Sequence, residues 1–335
     1  MVRLTYTGNN KKRMKTVSIL VPESSVLQAI ADPQYCFATV NRFLILAGLE
    51  KYFNIELVGF KRKIKLNHGT YCVHTTQLIK EVQTTDLIVI PALSGDIAMA
   101  LELNKAYIPW IVKQYNGGAE VASLCLGAFL LASTGLLNGK KCSTHWGFTN
   151  LFREMFPEVD IQDGKIVTEE NGLYSSGGAN SYWNLLLYLV EKYVDREMAI
   201  HISKYFAIDI NRDNQSVFAI FTGQKEHNDE EVKKAQEYIE QNFNGKISIE
   251  ALIENLAVGR RSFERRFRQA THNSVLEYIQ RVKIEAAKRS IENSRKYINE
   301  VMLDVGYSDT KAFRAAFKKI TGLTPVEYRN RYSKI

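Results

Sequence analysis

The chain has 335 residues, 45% hydrophobic and 24% charged, proportions that point to a folded protein rather than a disordered one. The longest apolar runs, such as Ala128 to Thr134 and Leu185 to Val190, fall well short of the roughly 20 residues a bilayer core needs. The net charge of +8 points to acidic partners, and four cysteines with neither CxxC spacing nor a Cys/His cluster point away from zinc and from a disulfide framework.

Residues 1 to 15 are polar and basic and read as a frayed tail. No secretory signal follows Lys11, Lys12, Arg13 and Lys15, so a cytoplasmic location with reduced thiols is expected, with no metal and no cofactor. From there strand-like runs (Val17 to Val21, Ile55 to Gly59, Leu87 to Pro91, Val121 to Leu124) alternate with helical ones (Cys36 to Gly48, and a helix ending at Asn116). That alternation predicts βαβ units, and residues 1–209 are expected to form an α/β, flavodoxin-like parallel-sheet sandwich.

Within this part the stretch Val121-Ala-Ser-Leu-Cys125-Leu-Gly127 runs a buried strand straight into an apolar helix. A cysteine there, with glycine two residues on, has the form of a nucleophile elbow, and the helix N-terminus is expected to lower the thiol pKa. His145 lies twenty residues on, as a possible base. A cysteine at a strand end is also commonly a small buried hydrophobe, so spacing alone leaves both readings open. The turn Ser175-Ser-Gly-Gly-Ala179 precedes an amphipathic helix from Trp183 to Arg196 and is expected to cap it or hold an anion.

Periodicity fails between Ile208 and Asn228, where Asp, Asn, Arg, Gln and Gly cluster; residues 210–228 are read as a linker. Helices resume at Asp229, with Val232, Ala235, Ile239 and Phe243 on one face. Residues 229–335 then repeat themselves at an offset of fifty: Phe263, Phe267, Thr271, Ser274, Glu277 and Tyr278 recur as Phe313, Phe317, Thr321, Thr324, Glu327 and Tyr328. Each copy is a helix, a small-residue turn (Leu256-Ala-Val-Gly259; Val305-Gly306-Tyr307) and a second helix, the outline of a helix-turn-helix. From Gly259 onward there are 18 Lys/Arg against 8 Asp/Glu, while His227 to Val258 holds 3 against 7. The positive charge sits on the repeated unit, where it suits nucleic-acid phosphates.

With Phe263 and Phe267 facing inward, Arg260, Arg261, Glu264, Arg265 and Arg268 are expected to face DNA in the first copy, and Thr310, Lys311, Arg314, Lys318 and Lys319 in the second. Arginine reads guanine and glutamate reads cytosine, so the first copy is expected to discriminate sequence and the second to anchor phosphate. Between them a helix from Val275 to near Glu292 measures about 27 Å, a spacer matched to successive major grooves about 34 Å apart.

On these residues the chain resembles known families. Residues 229–335, through Ile298 to Arg329 above all, resemble the AraC/XylS-type DNA-binding domain, which implies seven helices with two helix-turn-helix units joined by a long helix. The N-terminal part resembles the ThiJ/PfpI group of the class I glutamine-amidotransferase-like superfamily, through Pro91 to Asp96, the Cys125 elbow, Leu136 to Trp146 and Ser176 to Ala179. Together they resemble the GlxA-like regulators. The resemblance implies a dimer that binds an operator in double-stranded DNA, engages RNA polymerase, and senses a small-molecule effector in a pocket drawn from Gln28, Cys125, Leu126, His145, Ser176 and Gly177. Hydrolytic members carry His directly after the nucleophile, where this chain has Leu126; other members hold the thiol with a Glu, where the nearest equivalent is Gln28, with Glu23 in the same loop. Sensing is therefore expected over catalysis, with a Cys125-dependent hydrolase or glyoxalase-like enzyme, or a thiol redox sensor, as the alternatives.

Overall fold

The computed structural model describes residues 13–210, 215–216, 219–225, 227–254 and 258–333. The first part holds β1 (Lys15–Leu20), α1 (Leu27–Leu46), β2 (Phe53–Gly59), β3 (Lys63–Leu66), β4 (Tyr71–His74), β5 (Gln77–Leu78) and β6 (Leu87–Ile90). There follow α2 (Ile97–Asn104), α3 (Tyr107–Asn116), β7 (Glu120–Leu124), α4 (Gly127–Ala132), β8 (Lys141–Cys142), α5 (Thr149–Met155) and β9 (Asp160–Ile161). It closes with β10 (Val167–Glu170), β11 (Leu173–Ser176), α6 (Tyr182–Tyr193) and α7 (Arg196–Tyr205). The chain divides into two units, Met1–Gln215 and Ser216–Ile335.

In the first unit a seven-stranded sheet runs β10-β11-β7-β6-β1-β2-β5. All neighbours are parallel except β10 with β11. Its strands are apolar on both faces because both are covered. Val17, Ile19, Leu87 and Val89 pack against α1, α6 and α7, while Leu20, Ile88, Ile90 and Val121 pack against α2 to α5. The result is the doubly wound α/β sandwich expected from the alternation. Chain order reverses at β1, between β2 and β6, and in such sheets the binding crevice lies beyond the carboxyl ends of the strands at the reversal. The Cys125 elbow leaves the carboxyl end of β7, two strands from β1.

Three helices depart from the sequence expectation. α1 starts at Leu27, not near Cys36, and carries Pro33 inside it. Proline removes one helical hydrogen bond, yet buried Ala29, Ile30, Phe37 and Val40 on both sides of it keep the helix whole. The helix ending at Asn116 is two, broken at Lys105 and Ala106. The helix from Trp183 ends at Tyr193, and α7 starts afresh where the Asp195 carboxylate accepts from the Met198 N–H at 2.8 Å.

The second unit holds α8 (Glu230–Gln241), α9 (Ile249–Ile253), α10 (Arg260–Thr271), α11 (Val275–Asn293), α12 (Ile298–Asp304), α13 (Thr310–Thr321) and α14 (Pro325–Tyr332). Part of the first turn, residues 255–257, lies outside the described residues. α11 serves two cores: Val275, Tyr278 and Ile279 pack with α8, α9 and α10, and Ile284, Ala287 and Ile291 with α12, α13 and α14. The repeat is visible in hydrogen bonds. Ser274 with Glu277 and Thr324 with Glu327 form capping boxes at the starts of α11 and α14. The Thr271 and Thr321 hydroxyls donate to the Phe267 and Phe317 carbonyls at 2.7 and 2.8 Å, and the Tyr278 and Tyr328 hydroxyls to Glu240 and Glu292.

Within residues 210–228, read from composition as a linker, residues 211–214, 217, 218 and 226 lie outside the described set. Ile208 and Ile210 pack on the first unit's core, and the Asp209 carbonyl accepts from Asn184 at 2.7 Å. Gln215 is 1% exposed. In the second unit Phe221 joins the core around α8 and stacks edge-on against Tyr278 at 5.1 Å.

Candidate functional site

Two basic helices dominate the second unit. On α10, Phe263 and Phe267 are buried, while Arg260, Arg261, Arg265 and Arg268 are exposed and Glu264 is half-buried. Arg260 bonds Glu264 at 3.1 Å and Glu250 at 2.5 Å, exposed pairs of small stability that yield readily to a phosphate or a base. Among the described residues Arg261, Arg265 and Arg268 make no ion pair. Arg266 faces the other way: its guanidinium grips both Asp229 oxygens, at 2.7 and 2.8 Å, and Glu231 at 2.5 Å, tying α10 to the start of α8. On α13, Phe313 and Phe317 are buried, Lys311, Arg314, Lys318 and Lys319 are exposed and Thr310 is half-buried. Asp309 caps this helix, accepting from the Ala312 N–H at 2.6 Å, whereas Gly259 precedes α10 without a side-chain cap. The 19 residues of α11 make a helix about 28 Å long that contributes to both cores.

In the first unit Cys125 sits at φ +52 between β7 and α4, the left-handed backbone of an elbow. Gly127 is required there, since a Cβ on it would lie 2.6 Å from both the Ile90 and the Pro91 carbonyl oxygens. The Cys125 N–H donates to Ser176 Oγ at 3.4 Å, and Thr144 Oγ1 donates to the Cys125 carbonyl at 3.2 Å. The expectation of a lowered thiol pKa is corrected. Burial pushes the thiol up to about 12, and the Leu126 N–H offsets this only in part. α4 has six residues, too short a helix to outweigh the loss of water around a side chain 5% exposed.

His145 is spent elsewhere. Its Nδ1 accepts from the Gly147 N–H at 3.0 Å, its ring packs against Trp146 and Phe148, and burial lowers its pKa. Among the described residues no hydrogen bond joins it to the Cys125 thiol. Leu126 is half-buried between the two cores, and Gln28 is exposed in the first turn of α1. The Glu23 carboxylate pairs with Lys61 at 2.7 Å. Ser176 is fully buried, donating to the Ser123 carbonyl at 3.4 Å. The Gly177 N–H is taken by the Ile166 carbonyl at 2.8 Å, and Ser181 makes no side-chain cap, so the Ser/Gly turn neither caps α6 by a side chain nor offers that N–H to an anion.

The sequence reading missed Asp32. Its Oδ2 accepts from the Tyr182 hydroxyl at 2.7 Å and the Trp183 Nε1 at 3.0 Å, one turn beyond Gln28. Burial first and then Asp32 raise the Tyr182 phenol, and Tyr182 and Trp183 belong to the same buried core cluster as Cys125. Extending α1 through Pro33 is the signal that reveals it. A protonated thiol in a strained turn, with no bonded base among the described residues, makes a poor nucleophile.

The DJ-1/PfpI family pattern matches residues 37–192, and a helix-turn-helix domain pattern matches residues 252–331. The HTH-type transcriptional regulator GbdR of Pseudomonas aeruginosa is 24% identical over 236 residues, 70% of this chain and 64% of that protein. The HTH-type transcriptional regulator GlxA of Rhizobium meliloti is 22% identical over 217 residues, 64% of this chain and 66% of that protein. The chain thus spans a little under two thirds of the length of these curated relatives. A crystal structure of a candidate transcriptional regulator from Vibrio parahaemolyticus covers 58% of this chain and 99% of its own at TM-score 0.52 and 23% identity, a likeness of fold. The chain carries a DJ-1/PfpI domain followed by an AraC-type helix-turn-helix domain.

Proposed function

We propose that the chain is a one-component transcription regulator and not an enzyme. Its α/β domain binds a small-molecule effector in the crevice around Cys125, Asp32 and Tyr182 and joins two copies into a homodimer. Its second domain reads an operator in double-stranded DNA and there works with RNA polymerase, in the cytoplasm. The observation that carries this reading is the pair of exposed basic helices, α10 and α13, presented by two copies of one unit on a common spacer, α11. The raised Cys125 thiol and the occupied His145 support sensing over turnover, and relatives named as HTH-type transcriptional regulators support the DNA-binding role.

A hydroxyl-radical footprint on DNA selected by the full chain tests it. Each chain should protect two successive major-groove segments on one face of the duplex, about one helical turn apart. Protection of a single groove, or none that depends on sequence, contradicts the reading.

A further inference from the structure

Lys283 lies near the middle of α11 and is 8% exposed, yet among the described residues it pairs with no carboxylate. Its Nζ donates instead to two backbone carbonyls at 3.1 Å each, those of Gly245 and Gly306, and stands 5.5 Å from the centre of the Tyr307 ring. Gly245 lies in the turn between α8 and α9, in the first half of the second unit, and Gly306 in the turn between α12 and α13, in the second half. One ammonium thus bonds both halves.

Two further contacts meet at the same place. Phe243, from the turn that holds Gly245, packs on the core of α12, α13 and α14 rather than with Val232 and Ile239, where its spacing placed it. A Cβ on Gly306, whose φ is +73, would lie 2.4 Å from the Asn244 carbonyl oxygen and 2.6 Å from Lys283 Nζ, so the two turns approach as closely as only glycine allows.

The arrangement is costly, since burial lowers the pKa of the Lys283 ammonium. A methionine of similar length would fill the site without a buried charge, and such replacements are often neutral or stabilising. A buried ionic group of this kind is better suited to fixing one arrangement of the parts it joins than to adding stability. The parts joined here are the two reading helices. α8, α9 and α10 share one core, so the turn at Gly245 is tied to α10, and the turn at Gly306 leads directly into α13.

We infer that Lys283 is a positioning residue: it clamps the turn of one half to the turn of the other, holds α10 and α13 at one separation and pitch, and makes the protein selective for the spacing of the two DNA segments they enter. This rests on the reading that both helices enter DNA. Moving one segment by a base pair shifts it about 3.4 Å and turns it about a tenth of a helical turn, which a fixed pair of helices does not follow.

The test uses the full chain and the operator it selects from random DNA, with one base pair inserted or removed between the two protected segments. Wild type should lose about tenfold or more in affinity on the altered spacings. Lys283→Met, and Gly306→Ala, which wedges the same turns apart, should cut that penalty to about threefold or less. Lys283→Met should do so with the denaturant midpoint of the second unit unchanged or raised, which a merely structural lysine would not allow. Ile291→Val, which removes one methylene from the core of α12, α13 and α14, should lower the midpoint and keep the wild-type penalty. A Lys283→Met chain that keeps the full spacing penalty overturns the clamp. If the wild type selects no operator, the DNA reading fails and hydrogen exchange decides the clamp. Lys283→Met should then speed exchange at residues 243–246 and 305–307 together, and unchanged exchange at either turn overturns it.

Discussion

Cys125 sits where a reactive thiol belongs by backbone geometry and where burial denies it reactivity. With its pKa raised to about 12, it stays protonated throughout the neutral range. Iodoacetamide should label exposed Cys72 quickly and Cys125 slowly, with the Cys125 rate climbing about tenfold per pH unit through pH 9, because only thiolate reacts. A plateau near pH 7 would show a low-pKa thiol and restore the redox or catalytic alternative. The linkage has a definite sign: a folded thiol pKa above its unfolded value stabilises the fold below pH 9.0, and that stability is lost as pH rises from there through about 12. Gly127 makes a second residue-scale test. Gly127→Ala drives a methyl against two backbone carbonyls and should cost about 3 kcal/mol, read as the denaturant midpoint of the first unit; a loss under about 1 kcal/mol would mean that the elbow backbone can move aside. The elbow was legible in sequence because a strand, a cysteine and a glycine follow one another directly. Asp32 and Gln215 were not, since one was hidden behind Pro33 and the other is held by carbonyls fifty and seventy-one residues away.

At the scale of elements, the repeat at an offset of fifty was legible because it recurs residue by residue, down to the capping boxes. What it could not give was which arginines turn inward. Arg266 binds Asp229 and Glu231, whereas Arg261 and Arg265 on the same helix stay exposed, a distinction set by the position of α8. The two helices differ chemically, and the proposed roles on DNA differ with them. Arg261→Ala or Arg265→Ala should cost about 1–3 kcal/mol on cognate DNA and relax specificity, while Lys318→Ala or Lys319→Ala should weaken cognate and scrambled DNA alike and lower the salt slope. Titrations on both DNAs at several salt concentrations decide it; equal losses on both for all four variants would remove the assignment of base reading to α10.

For the molecule as a whole, two domains are joined by a segment whose composition reads as a linker and whose described residues are pinned at both ends, by Asp209 and Gln215 in one unit and by Ala219 and Phe221 in the other. The proposed reader of particular DNA sequences is α10. The most direct measurement is a genome-wide map of its DNA sites, for the wild type beside an Arg261→Ala/Arg265→Ala double variant. Wild-type signal should gather at a small set of promoters under one shared motif, and the variant should lose those sites while keeping its fold. Wild-type signal without discrete sites, or a variant that retains the same sites at the same strength, would contradict the account.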